Sequence, residues 1–328
     1  MGKITLVACI FLVPALLAPV SAEEVLRVAS SSTSLASLVE AIGGTRVETL
    51  TLIPMGADPH HYEPSQSDLV EALANADLIL LTGPGHLILE ERIRGLAEAG
   101  VIGAEILDYR DYMDAGLRLL ENPRTGEPNI HGYYLSINGL RTLSERIADE
   151  LIRLDSEGRA VYEANLKRYL ELLDSIWMDA VSLIRDKPKV VLLTPILQYV
   201  MDDLGLEIGW VMLPEPDAEP SEADVEMLLE LSRKGYVLVV SDLAAERYQS
   251  LLQLLSSENV NYVIVPILRL ADKPHLITLT TALKLADISS TMEHNQSSWN
   301  SLLLVSFTAN VILITLVALF YRRLRRLG

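Results

Sequence analysis

The chain carries six histidines in 328 residues, and two of them stand side by side in GADPHHYEP, Gly56 to Pro64. Any site built from imidazole must therefore draw on His60, His61, His86, His131, His275 and His294. Neutral imidazole suits zinc and other first-row transition metals, and carboxylates suit harder ions such as manganese. Competing chemistries lack their signatures: no HExxH pair, CxxC pair or GxSxG turn occurs. The glycines of TGPGH, residues 82–86, lack the third glycine and the acidic companion of a phosphate-cradling loop. The sequence offers no enzyme signature. Two or more of these histidines on one metal ion is the chemistry it does offer.

Such a site needs elements that bring distant segments together. From Val25 the pattern alternates: VLRVAS reads as a strand, SLASLVEAIGG as a helix closed by glycine, and RVETLTLIP as a strand. SQSDLVEALANA follows as a serine-capped helix, DLILLTG as a short buried strand, and ILEERIRGLAEAG with AEILDY repeats the alternation. Strand and helix alternating at this spacing predict a parallel sheet with helices on its faces. The alternation stops at Glu163 to Asp186, where Leu166, Leu170, Leu173, Trp177, Val181 and Ile184 form a helical stripe free of proline and glycine. A helix of that length is about 36 Å long. After it KVVLLT, EIGWVML, YVLVVSD and YVIVPI read as strands, with helices at ILQYVMDDLG and EADVEMLLELSRKG.

The predicted fold class is therefore α/β: two lobes, each a parallel sheet flanked by helices, joined by one long rigid helix, with a transmembrane helix at the C-terminus. The segments run as a signal peptide at 1–22, an N-terminal lobe at 23–160, a linker helix at 161–187 and a C-terminal lobe at 188–288. A stalk at 289–301, a transmembrane helix at 302–321 and a basic cytoplasmic tail at 322–328 complete the chain.

Ligands of parallel sheets sit outside the carboxyl ends of the strands. The His60–His61 loop follows a strand, as does His86, while His131 lies in PNIHGYY just ahead of a helix. Asp242 ends the strand YVLVVSD, and His275 follows the last strand. These segments point polar groups at one cleft; His294 alone falls in the stalk.

The ends place the chain. Lys3, an apolar run and VSA before an acidic pair form the order of a secretory signal. The sole cysteine, Cys9, lies in that run and leaves with it, so the mature lobes hold neither disulfide nor thiolate ligand. Leu302 to Tyr321 carries no charge and is long enough to span a bilayer. The arginine-rich tail after it sets the C-terminus inside and the bulk of the chain outside. A net charge of -17 argues against nucleic acid and suits a cation.

The segment LIPMGADPHHYEPSQSDLVEALANADLILLTG, residues 52–83, resembles the first signature of the zinc and manganese solute-binding proteins of ABC importers. NIHGYYLSINGL resembles their second signature, and LPEPDAEPSEADVEMLLELSRKG the segment opening the middle helix of the second lobe. The resemblance covers about 24–285 and implies two α/β lobes bridged by a rigid helix. It implies His60 and His131 as metal ligands within joint reach of one ion, with His61 at a variable rim position. Asp58, Pro59 and Pro64 then stiffen the loop. It further implies a divalent metal, zinc or manganese, as transported cargo, and an ABC permease with its ATPase as partners. The membrane helix replaces the lipid anchor of relatives and keeps receptor beside transporter. The second lobe departs from the pattern, because Thr194 and the region of Pro266 stand where two further ligands are expected. His275, then Asp242, are the substitutes the sequence ranks for them, with His86 also available at the crevice. The alternative reading is a degenerate relative that binds no metal and serves another solute or surface adhesion. A zinc hydrolase using His60, His61 and His131 lacks an identifiable general base.

Overall fold

The structure, a computed structural model, describes residues 25–184 and 187–294. The signal segment, the membrane helix at 302–321 and the tail at 322–328 lie outside the described residues. Among the described residues no helix is long and apolar enough to cross a membrane.

The first half comprises β1 (Leu26–Ser30), α1 (Thr33–Gly43), β2 (Val47–Thr51), α2 (Gln66–Leu73), β3 (Leu78–Leu80), α3 (Ile88–Glu98), β4 (Glu105–Leu107) and α4 (Tyr109–Asp114). Its strands pair in parallel in the order β2-β1-β3-β4. Then come α5 (Ile137–Leu154) and α6 (Arg159–Leu183). The second half comprises β5 (Val190–Leu192), α7 (Gln198–Asp203), β6 (Ile208–Val211), α8 (Glu222–Arg233), β7 (Val237–Ser241), α9 (Asp242–Arg247), α10 (Gln249–Ser257), β8 (Tyr262–Val265) and α11 (Ile277–His294). Its order, β6-β5-β7-β8, repeats the winding of the first sheet, again all parallel. Helix α11 runs into the segment that the sequence reads as stalk.

Local chemistry explains these elements. The short strands LIL of β3 and VVL of β5 are buried throughout, as strands covered by helices on both faces must be. On α1, Leu35, Leu38, Val39 and Ile42 recur at helical spacing and are wholly inaccessible. Each such side chain contributes roughly 1.5–3 kcal/mol relative to exposure. Ser32 caps that helix by accepting from Leu35 N, and Ser65 caps α2 by accepting from Asp68 N.

Helix α6 begins at Arg159 rather than at 163 and ends at Leu183 rather than at 186. Asp155 sets its start, accepting from Gly158 N and from the Tyr162 hydroxyl, and Lys187 before Pro188 cannot readily stay helical. Its buried face is Tyr162, Asn165, Tyr169, Leu173, Ile176 and Ala180. The stripe read from the sequence is shifted around the helix, since Trp177 is 42% and Val181 38% exposed. Two tyrosines and Asn165, which donates to Ile42 O, hold the packed side, while Trp177 lies at the surface and donates to Asp203 O. Tyr162, Tyr169, Leu173 and Ile176 join the core of the first half, and Ala180 joins that of the second. One rod is thereby seated in both.

The halves are also stitched through a buried carboxylate. Asp203, at the end of α7, accepts from the backbone N–H groups of Ile137 and Asn138 at the start of α5, and from the Thr278 hydroxyl. Burial pushes its carboxyl up to about 7 against those donors.

Candidate metal centre

Three histidines from three loops of the first half meet at the carboxyl edge of the sheet. His60 lies between β2 and α2, His86 between β3 and α3, and His131 ahead of α5. Ring centroids are 5.5 Å apart for His60–His86, 6.1 Å for His60–His131 and 4.6 Å for His86–His131. One ligand nitrogen from each lies within 4.8 Å of the others. The geometry brings His60 and His131 together and adds His86.

Each ring is positioned by its own local device. Asp58 accepts from His60 N at 3.0 Å through Oδ1 and meets His61 Nδ1 at 3.0 Å through Oδ2. That turn faces His60 inward and leaves the His61 side chain 63% exposed. The adjacent pair is asymmetric. For His86 the chain of bonds fixes a tautomer: the buried Glu90 accepts from the Thr82 hydroxyl at 2.8 Å, so Thr82 Oγ1 accepts from His86 Nδ1–H. Nε2 is then left with its lone pair free, the form a metal requires. Glu90 also accepts from Thr82 N and Gly83 N, which locks this relay to the end of β3. His131 N donates to Asn129 Oδ1, and Asn129 Nδ2 donates to Pro195 O and Gln198 Oε1 in the second half. The His131 ring is 7% exposed. Its Nε2 lies 2.8 Å from Glu215 Oε2, and its Nδ1 is buried with no hydrogen-bond partner among the described residues.

Electrostatics favour the neutral form of two of the three rings, His86 and His60. Burial, then repulsion from His131 and His60, holds the His86 pKa well below the usual histidine value. Burial also lowers His60, with Asp217 partly opposing. Unprotonated imidazoles packed this closely are ready to bind a cation and resist gaining protons.

The other side of the cleft is formed by Thr194, Ile196, Pro216, Asp217 and Leu243. Thr194, one of the positions where the resemblance leads to a ligand, is thus at the gap but offers only a hydroxyl. Asp242 is not brought to the cluster: its carboxylate accepts from Leu243 N, Leu268 N and Arg269 N and so ties α9 to the loop after β8. His275 is not brought there either. Its ring stands edge-on to Tyr169 of α6, with centroids 6.0 Å apart. Sequence reasoning missed Glu215 and left His86 among several substitutes. The available signals were the acidic run LPEPDAEP at the end of β6 and the Glu90 carboxyl placed to anchor Thr82.

Burial of His275, reinforced by Lys273, lowers its pKa from 6.5 to about 4. Between those values the unfolded chain binds the extra proton and the folded chain does not, so stability is full above pH 6.5 and declines as pH falls toward 4. The metal-free protein is expected to lose roughly 2–3 kcal/mol across that window through this residue. Urea unfolding of the wild type and His275→Phe at neutral and acidic pH measures it; an equal decline in both would remove His275 as the cause.

A family model described as the zinc-uptake complex component A, periplasmic, matches residues 28–265. The chain belongs to that family, the substrate-binding proteins of metal ABC transporters. It is 26% identical over 214 residues to the iron ABC transporter substrate-binding lipoprotein MtsA of Streptococcus pyogenes serotype M1, covering 62% of this chain and 67% of that one. It is 26% identical over 226 residues to the manganese ABC transporter substrate-binding lipoprotein PsaA of Streptococcus pneumoniae, covering 66% and 71%. These relatives are transport receptors, not enzymes. The solute-binding protein FpvC of Pseudomonas aeruginosa, solved with Mn2+, superposes with a TM-score of 0.67 at 23% identity over 80% of this chain and 97% of that one. That likeness is one of fold: two parallel sheets flanked by helices.

Proposed function

We propose that this chain captures a divalent transition metal, zinc or manganese, outside the cytoplasm and delivers it to an ABC permease driven by its ATPase. His60, His86 and His131 are the first-half ligands in this reading. The observation that carries it is the convergence of three imidazoles on one point at the cleft edge. Family membership supports the transport role, and the zinc, manganese and iron in the names of the relatives support the cargo class. The uncharged segment 302–321 followed by arginines supports a membrane anchor with the C-terminus inside, which places the receptor beside its permease. The intact histidine cluster speaks against a relative that has given up metal.

The test is metal analysis of the purified full-length protein after exposure to zinc and to manganese, followed by dialysis. About one tightly held ion per chain is expected; a protein that retains neither would sink the metal reading.

A further inference from the structure

Three imidazoles from one half do not by themselves explain how an ion draws the two halves together. A receptor whose cleft closes on its cargo needs a donor on the far side. The positions where the resemblance leads to one are Thr194 and the region of Pro266, and neither supplies a strong ligand. Resting on the proposed metal reading, we infer that Glu215 is the second half's ligand, completing a shell of three imidazoles and one carboxylate that favours zinc over manganese.

The geometry carries this. Glu215 Oε2 and His131 Nε2 are 2.8 Å apart, a hydrogen-bond distance, so a small outward shift of the carboxylate gives the roughly 3.3 Å that separates two donors of a tetrahedral zinc shell with bonds of about 2.0 Å. The loop is held in place on both sides of the residue. Pro214 O accepts from Nδ2 of Asn122, a first-half residue, at 3.0 Å. The Tyr248 hydroxyl lies 2.9 Å from Pro216 O and 2.8 Å from Ala218 O. Prolines at 214 and 216 restrict the backbone on either side. Glu215 is therefore presented by a braced loop that reaches across the cleft, and its side chain remains 60% exposed, open to an arriving ion.

Donor chemistry then selects the metal. Imidazole-rich, four-donor shells suit zinc, whereas manganese prefers more oxygen donors and more of them. Asp217 is the nearest further carboxylate on this loop, and it is engaged by Arg247 at 2.8 Å. The unpaired Nδ1 of His131 offers the ion a different route onto that ring, in which Glu215 would stand outside the shell and merely hold the Nε2 proton.

Competition titrations of zinc and manganese into the full-length protein and its Glu215→Gln variant separate these arrangements, alongside the cobalt(II) spectrum of Glu215→Cys. Glu215→Gln should bind zinc at least about 100-fold more weakly, beyond the range usual for loss of an outer partner. Wild-type protein should hold zinc against excess manganese, and Glu215→Cys should show a thiolate-to-cobalt charge-transfer band that the wild type, with only Cys9, lacks. Near-wild-type zinc affinity in Glu215→Gln with no band in Glu215→Cys overturns the inference and leaves the metal reading standing. Failure of the wild type itself to bind zinc overturns both. Unchanged thermal unfolding of the metal-free variants shows that their folding is intact.

Discussion

Replacing His131 by alanine is expected to weaken zinc binding by more than about 100-fold while leaving the fold in place. Zinc held by a full protein shell is worth roughly 10–16 kcal/mol, so one donor of four carries about 3 kcal/mol. His131 is the pivot of the cluster. Its ring is nearest to His86, it meets Glu215, and its loop is tied to the second half through Asn129. His61→Ala is the matched control. His61 is adjacent to His60 in sequence, yet its side chain is 63% exposed and, among the described residues, paired with Asp58, an exposed contact worth less than about 1 kcal/mol. Isothermal titration of both variants tests the contrast. Comparable losses in both would mean that the ion sits at the rim, not in the cluster.

Gly132→Ala should be the most damaging small substitution near the site. Gly132 has φ +78, where alanine carries a strain of about 1–2 kcal/mol. A Cβ there would also lie 1.8 Å from Ile196 O, a backbone atom of the second half that has no rotamer to move. Relief requires the halves to separate, so the total destabilisation should exceed about 3 kcal/mol. Gly85→Ala isolates the strain alone, since its φ is +77 but nothing lies within 4 Å of the added carbon. Urea unfolding of the two variants should therefore differ markedly. Similar midpoints would show that the contact with Ile196 yields easily. Each glycine adjoins a proposed ligand, His131 or His86, so the contrast between the two variants is read from unfolding of the metal-free protein.

The sheets and the long helix were legible because their signal is periodic and local. Alternating apolar runs marked the β1–β4 and β5–β8 order of elements, and an unbroken stretch marked α6. The phase of α6 was not legible: its packed face depends on which neighbours it meets, and tyrosines and Asn165 hold that face in place of some of the leucines. His60 and His131 stood out through their signatures. His86 gained its role only through Thr82 and Glu90, a relay assembled by the turn after β3. Asp242 and His275 show the converse limit. Both follow strands, but a residue's place at a sheet edge does not fix where its side chain points. Backbone N–H groups claim the Asp242 carboxylate, and the turns after β8 carry His275 to Tyr169.

The repeated winding of the two sheets gives the cleft a redundancy of address. His60 and Glu215 occupy corresponding loops, each after the second strand of its half, and His86 and Asp242 each come after the third. Each half thus carries the same set of loop ends at the carboxyl edge of its sheet, outside the strand pairing itself. A metal ligand can therefore be supplied from different loops of one scaffold. A chain with Thr194 and Pro266 at two such addresses still has the others to draw on, and the same freedom lets an engineer rewrite the metal preference one loop at a time.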